Sequence, residues 1–101
     1  MSKENAFCQV LPLNDNPVGL TQSRIDLQNP NKEWRAYRIA NNTANKCRIK
    51  FVNVADSDVT TSTGMTFGAN ASESFSSQAT HLSVIAETIV TSLNITSGTG
   101  V

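Results

Sequence analysis

Within Lys46–Val54 apolar and charged side chains alternate over five consecutive residues, with Cys47, Ile49 and Phe51 on one face and Arg48 and Lys50 on the other. A period of two is the spacing of a half-buried strand and is incompatible with an amphipathic helix. Glu33–Ala40 carries the same kind of pattern, with aromatic, β-branched and charged residues at strand spacing. The short Asn-rich linker 41–45 predicts that these two segments pair as an antiparallel hairpin. A second hairpin is expected from Thr80–Ala86 and Ile89–Thr96 across Glu87-Thr88. Leu82, Ile85, Ala86 and Ile89 also fit a helical repeat, but the β-branched and hydroxyl residues between them favour strand.

The rest of the chain is punctuated in the same way. Phe7–Leu13 reads as an edge strand or extended arm that Asn14-Asp15-Asn16-Pro17 terminates. Thr21–Leu27 reads as a short strand ended by Asn29-Pro30. Ala55–Thr63 reads as a loop, 64–68 as a short strand between glycines, and 70–77 as a turn with a short strand around Phe75. Short strands with turn signals at this spacing predict an all-β fold, a small antiparallel β-sandwich, jelly-roll-like, or a β-barrel. The expected organisation is an extended N-terminal arm or edge strand over 1–20 and one β domain over 21–101.

Composition supports a β protein that solubilises itself with hydroxyls and amides. Ser, Thr and Asn contribute eleven residues each to the 101, and eight basic residues balance eight acidic ones. Net neutrality removes the positive field that generic nucleic-acid binding needs. No apolar run is long enough for a membrane span or a secretory leader, so no membrane partner and synthesis in the cytosol are expected. Cys8 and Cys47 are too few for a disulfide scaffold or zinc site and read as packed thiols.

Parts for catalysis are scarce, and no catalytic residue, cofactor or metal is assigned. His81 is the only histidine, and its neighbour Thr80 is a poor nucleophile without an organised base. Asp56 and Asp58 are spaced like the first ligands of a calcium loop. The positions that would need glycine and glutamate hold Thr61 and Phe67, so a solvated loop is the better reading. The sequons at Asn41, Asn70 and Asn94 are unsurprising in a chain this rich in Asn, Ser and Thr, and carry no weight.

Charge placement says more than its sum. Lys32, Arg35, Arg38, Lys46, Arg48 and Lys50 share a window with a single acid, Glu33. Paired as a hairpin and flanked by Trp34 and Tyr37, these cations form either a solvated outer face or a docking face for an acidic partner, Arg and aromatics being enriched at interfaces.

The C-terminal third carries a resemblance. Ala79-Thr80-His81-Leu82-Ser83-Val84-Ile85-Ala86, a short turn, an alternating strand and the ending Thr96-Ser97-Gly98-Thr99-Gly100-Val101 resemble small tailed-phage virion proteins, in which an ATHVAVI-like strand precedes an LYITPGEG-like ending. Arg38-Ile39-Ala40-Asn41-Asn42-Thr43 followed by Ile49-Lys50-Phe51 is similar to their R-V-x-N strand and the one after it, so the likeness spans roughly 36–101. Ser97 stands where those proteins have Pro, and Glu87-Thr88-Ile89 replaces a Gly-rich turn. The resemblance implies an all-β head decoration or cement protein on the outer capsid surface, bound to the major capsid protein and self-associating as a dimer or trimer. Its contacts would come from Trp34, Arg35, Tyr37, Arg38, Arg48 and Lys50, and from Phe7, Val10 and Leu11 of the arm. The alternatives are a tail adaptor or fibre-associated virion protein, and a carbohydrate-binding module using Trp34 and Tyr37 as stacking platforms. Two residues three apart on one strand face opposite ways, which counts against that platform.

Overall fold

The computed structural model describes the backbone of residues 8–99 and the side chains of residues 16–98. It is all-β, with eight strands: β1 (Cys8–Val18), β2 (Ser23–Asp26), β3 (Arg35–Ala40), β4 (Cys47–Val52), β5 (Met65–Phe67), β6 (Ser72–Ser77), β7 (His81–Ala86) and β8 (Thr91–Thr99). No helix occurs among the described residues.

The strands form two four-stranded antiparallel sheets, sheet A in the order β1-β8-β3-β6 and sheet B in the order β2-β7-β4-β5. The chain changes sheet at every connection except β4 to β5. That alternation over eight strands is the double Greek key of a jelly-roll sandwich, not a closed barrel. β1 runs along β8 as an edge strand of sheet A, with register shifts between Gln9 and Leu11 and between Leu13 and Asn16. Pro12 and Pro17 lie in that strand, where an edge position tolerates a missing ladder donor.

Both expected hairpins are overturned. β3 lies in sheet A between β8 and β6, while β4 lies in sheet B between β7 and β5; β7 and β8 are likewise in opposite sheets. The linkers are not tight turns but crossings between sheets, and a buried asparagine organises the first of them. Asn41 is fully buried, and its Nδ2 donates to the carbonyls of Asn45 (2.8 Å) and Gly68 (3.1 Å). Its Oδ1 accepts from the Thr43 amide (3.0 Å), the Thr43 hydroxyl (2.6 Å) and the Thr91 hydroxyl (3.1 Å). One side chain thus ties the β3–β4 crossing to the start of β8 and the approach to β6. At the other end of β3, buried Asn29 donates to the carbonyls of Glu33 (2.9 Å) and Ala79 (3.3 Å) and accepts from the Glu33 amide (3.1 Å). Buried amides persist only when satisfied in this way.

The core lies between the sheets. Tyr37, Ile39, Leu93 and Ile95 of sheet A meet Ile49, Phe67, Leu82 and Val84 of sheet B. Tyr37, Phe51, Phe75 and Phe67 form a chain of tilted ring contacts with centroids 5.8, 5.5 and 6.3 Å apart, which crosses the interface three times. Such tilted pairs are the favoured aromatic geometry. Cys47 is a free thiol buried in this core, and the side chain of Cys8 lies outside the described residues.

The outer face of sheet B is closed by the chain itself. The β4–β5 loop folds back so that Val59 is buried along with the outward-directed Val52, Ser83 and Ile85. The Val59 amide donates to Ser83 Oγ (3.1 Å), and Ser83 Oγ donates to Asp58 Oδ1 (3.1 Å). Leu82 to Ala86 are therefore buried without alternation. This explains the helical ambiguity of that segment, since a strand covered on both faces loses its period of two.

Candidate functional site

The two outer faces differ in chemistry. On sheet B the cations are engaged within the chain. Arg24 from β2 points its guanidinium into the 53–58 turn, with Nε 2.6 Å from Asp58 Oδ1, Nη2 2.7 Å from the Asp56 carbonyl and Nη1 3.2 and 3.3 Å from the carbonyls of Asn53 and Val54. That hydrogen bond, ahead of the other influences, holds the Asp58 carboxyl below the usual carboxylate range. Lys50 Nζ donates to the carbonyl and hydroxyl of Ser57 (both 3.0 Å). Arg48 Nε lies 3.0 Å and Lys46 Nζ 3.6 Å from the carboxylate of Glu87. Acids far from the basic window in sequence thus return to it in space.

Sheet A presents a different surface. Tyr37, Ile39 and Phe75 turn inward, which leaves Ala36, Arg38 and Ala40 of β3, Ser72, Ser74 and Ser76 of β6, and Ser92, Asn94 and Thr96 of β8 on the outside. The register sets Arg38 between Ser74 and Thr96, so an exposed cation sits mid-face among small neutral side chains. No loop of the described residues bonds across this face as the 53–64 loop does on sheet B.

The residues singled out in the sequence are therefore not gathered at one place. Arg38 faces out from sheet A, whereas Arg48 and Lys50 face out from sheet B, because β3 and β4 do not pair. Arg35 sits at the start of β3, 3.7 Å from Glu33 and donating to the Gln28 carbonyl (3.0 Å). Tyr37 is 0% exposed and belongs to the core, so it is withdrawn as a contact residue and as a stacking platform. Burial raises its hydroxyl above the ordinary phenol pKa, opposed by the nearby Arg35 charge. Trp34, just before β3, is 69% exposed. Phe7 lies outside the described residues; Val10 and Leu11 are within β1, but their side chains lie outside the described ones.

A cleft of about 700 Å³ opens at one end of sheet B, lined by Asp26, Gln28, Asn29, Pro30, Lys32, Val54, Thr80 and His81. None of the expected contact residues whose side chains are described borders it. Asp26 and His81 are direct cross-strand partners on β2 and β7, a juxtaposition that sequence cannot reveal because it depends on which strands pair. The Asn-Pro turn and the lone histidine were the available signals. Among the described residues no group of three or more His, Cys, Asp or Glu is placed to hold a metal ion, and no helix is long and apolar enough to cross a membrane.

No family model, curated protein or solved structure matches this chain.

Proposed function

We propose that the chain is a structural virion protein, a decoration or cement protein that docks on the major capsid protein of a phage shell. The fold is compatible with that role but is shared by lectins and cupins as well as capsid proteins, so topology alone does not carry it. The observation that carries it is the contrast between the outer faces. Sheet B is closed by its own loop, while the described residues of sheet A leave open a broad face of Ser, Thr, Asn and Ala.

Small side chains lose little rotamer entropy when covered and let a partner's backbone approach closely. Exposed Trp34 would add an apolar anchor of the kind that dominates interfaces. The resemblance of residues 36–101 to phage virion proteins points the same way. Self-association as a dimer or trimer would extend the buried area of a small core.

The test is co-sedimentation with shells assembled from the major capsid protein encoded beside this chain, followed by cryo-electron microscopy. Wild-type protein is expected on the capsid lattice, and Trp34→Ala, at a side chain 69% exposed, is expected to bind at least about tenfold more weakly while keeping its circular-dichroism spectrum and urea midpoint. Absence from shells, or density at tail sites alone, overturns the assignment.

A further inference from the structure

The cleft at the end of sheet B has no part in shell docking, yet it has the features of a small-ligand site. Its size falls within the roughly 300–1,000 Å³ typical of such sites. Its rim is held in an unusual backbone conformation. Gln28 and Lys32 have φ of 55° and 54°, in the left-handed region that residues with a Cβ seldom adopt. The surrounding bonds enforce it: Asp26 Oδ1 accepts the Gln28 amide at 2.7 Å, the Lys32 amide donates to the Asn29 carbonyl at 3.1 Å, and Asn29 anchors the turn from beneath. Strained positions of this kind persist where the surroundings over-determine them, and they cluster at ligand clamps. A rim fixed in advance reduces the ordering cost of binding.

The polar groups left over define the ligand. Asp26 keeps Oδ2 as an acceptor with no partner among the described residues. His81 shares Nδ1 with the Thr80 hydroxyl (2.9 Å), which leaves Nε2 for a ligand. Gln28 offers an amide and Lys32 an ammonium, both exposed. Acceptors and donors are thus mixed within one cleft, and the Asp26 and Lys32 charges cancel, which disfavours a strongly charged ligand of either sign. Pro30 and the 76%-exposed Val54 supply an apolar wall. Vicinal hydroxyls on a ring with an apolar C–H face match this set. We infer that the cleft formed by Asp26, Gln28, Lys32, Val54 and His81 is a binding site for a neutral pyranose saccharide. It makes no use of Trp34 or Tyr37, and it does not depend on the docking role of sheet A.

The probe is glucose, galactose, mannose or N-acetylglucosamine, each titrated to ~10 mM into the isotopically labelled chain, a range that reveals millimolar affinities. Saturable shifts of the His81 ring and Val54 methyl resonances are expected with at least one sugar. Asp26→Asn keeps the oxygen that accepts the Gln28 amide but turns the free acceptor into a donor, and is expected to weaken that binding at least about tenfold. Val54→Asp, on an exposed side chain, is expected to weaken it independently. Silence of both resonances with all four sugars overturns the inference. So do shifts produced by inorganic phosphate in their place, or shifts that persist unchanged in Asp26→Asn.

Discussion

Replacing Asn41 by alanine removes the hydrogen-bonding centre of the β3–β4 crossing, and its cost follows from the bonds lost. Two donations, to Asn45 and Gly68, and three acceptances, from the Thr43 amide and the Thr43 and Thr91 hydroxyls, disappear together. A net bond contributes about 1 kcal/mol, and a buried group left unpaired costs more. Water entering the vacated space recovers part of this, since several partners are only half-buried. We expect a loss of ~3–4 kcal/mol, a large share of the ~5–15 kcal/mol that holds a domain of this size. Urea unfolding followed by tryptophan fluorescence reads it as a lower midpoint at unchanged slope.

Thr91→Val supplies the second arm of a double-mutant cycle. Thr91 bonds Asn41 Oδ1 and lies in short hydroxyl contact with Thr43, so the two losses overlap. The double mutant is expected to lose about 1 kcal/mol less than the sum of the singles. A loss below about 1 kcal/mol for Asn41→Ala, or strict additivity in the cycle, would refute the role assigned to the buried asparagine.

Three further outcomes are expected. The Asp58 carboxyl is depressed chiefly by its hydrogen bond from Arg24, so its stabilising charge is fully present above the unfolded carboxylate pKa of about 3.9 and is lost only as pH falls through the lower folded value. Amide exchange at Val59 should therefore stay protected down to about pH 4 and rise in stronger acid; release of the loop between about pH 6 and 5 would contradict this. Gly64 has φ of 84°, and an added Cβ would press on Val59 Cγ2 and lie 3.0 Å from the Ile49 carbonyl, so Gly64→Ala should destabilise by about 2 kcal/mol or more in urea. Burial, reinforced by the Glu87 carboxylate, pushes the Cys47 thiol up to about 11. Peptide mapping after iodoacetamide at pH 8 should thus find Cys47 unmodified in native protein and modified in urea; equal labelling in both would show the core assignment to be wrong.

Residues Lys46–Val54 and Glu33–Ala40 show how far local pattern reaches. Their alternation identifies strands and assigns Cys47, Ile49 and Phe51 to one face, as the structure bears out. The same pattern carries no information on strand partners, because period two is satisfied equally by an adjacent strand or a distant one. The linker 41–45 resembles a hairpin turn in composition, yet Asn41 bonds to Gly68 and Thr91, residues remote in sequence, and those bonds send β4 to the other sheet. The same limit scattered the expected contact residues and concealed the cleft.

Sequence by itself determined the all-β class, the positions of most strands, the inward and outward faces of β4, and the wealth of hydroxyls and amides that cover the outside. Tertiary structure alone decided which sheet each strand joins, which asparagines are buried hubs, which cations are neutralised by returning acids, and that Asp26 stands beside His81. The division has a physical cause. Face parity is set by backbone geometry one residue at a time, whereas partnership is set by burial and hydrogen bonds between segments that meet only when both sheets have closed over the core.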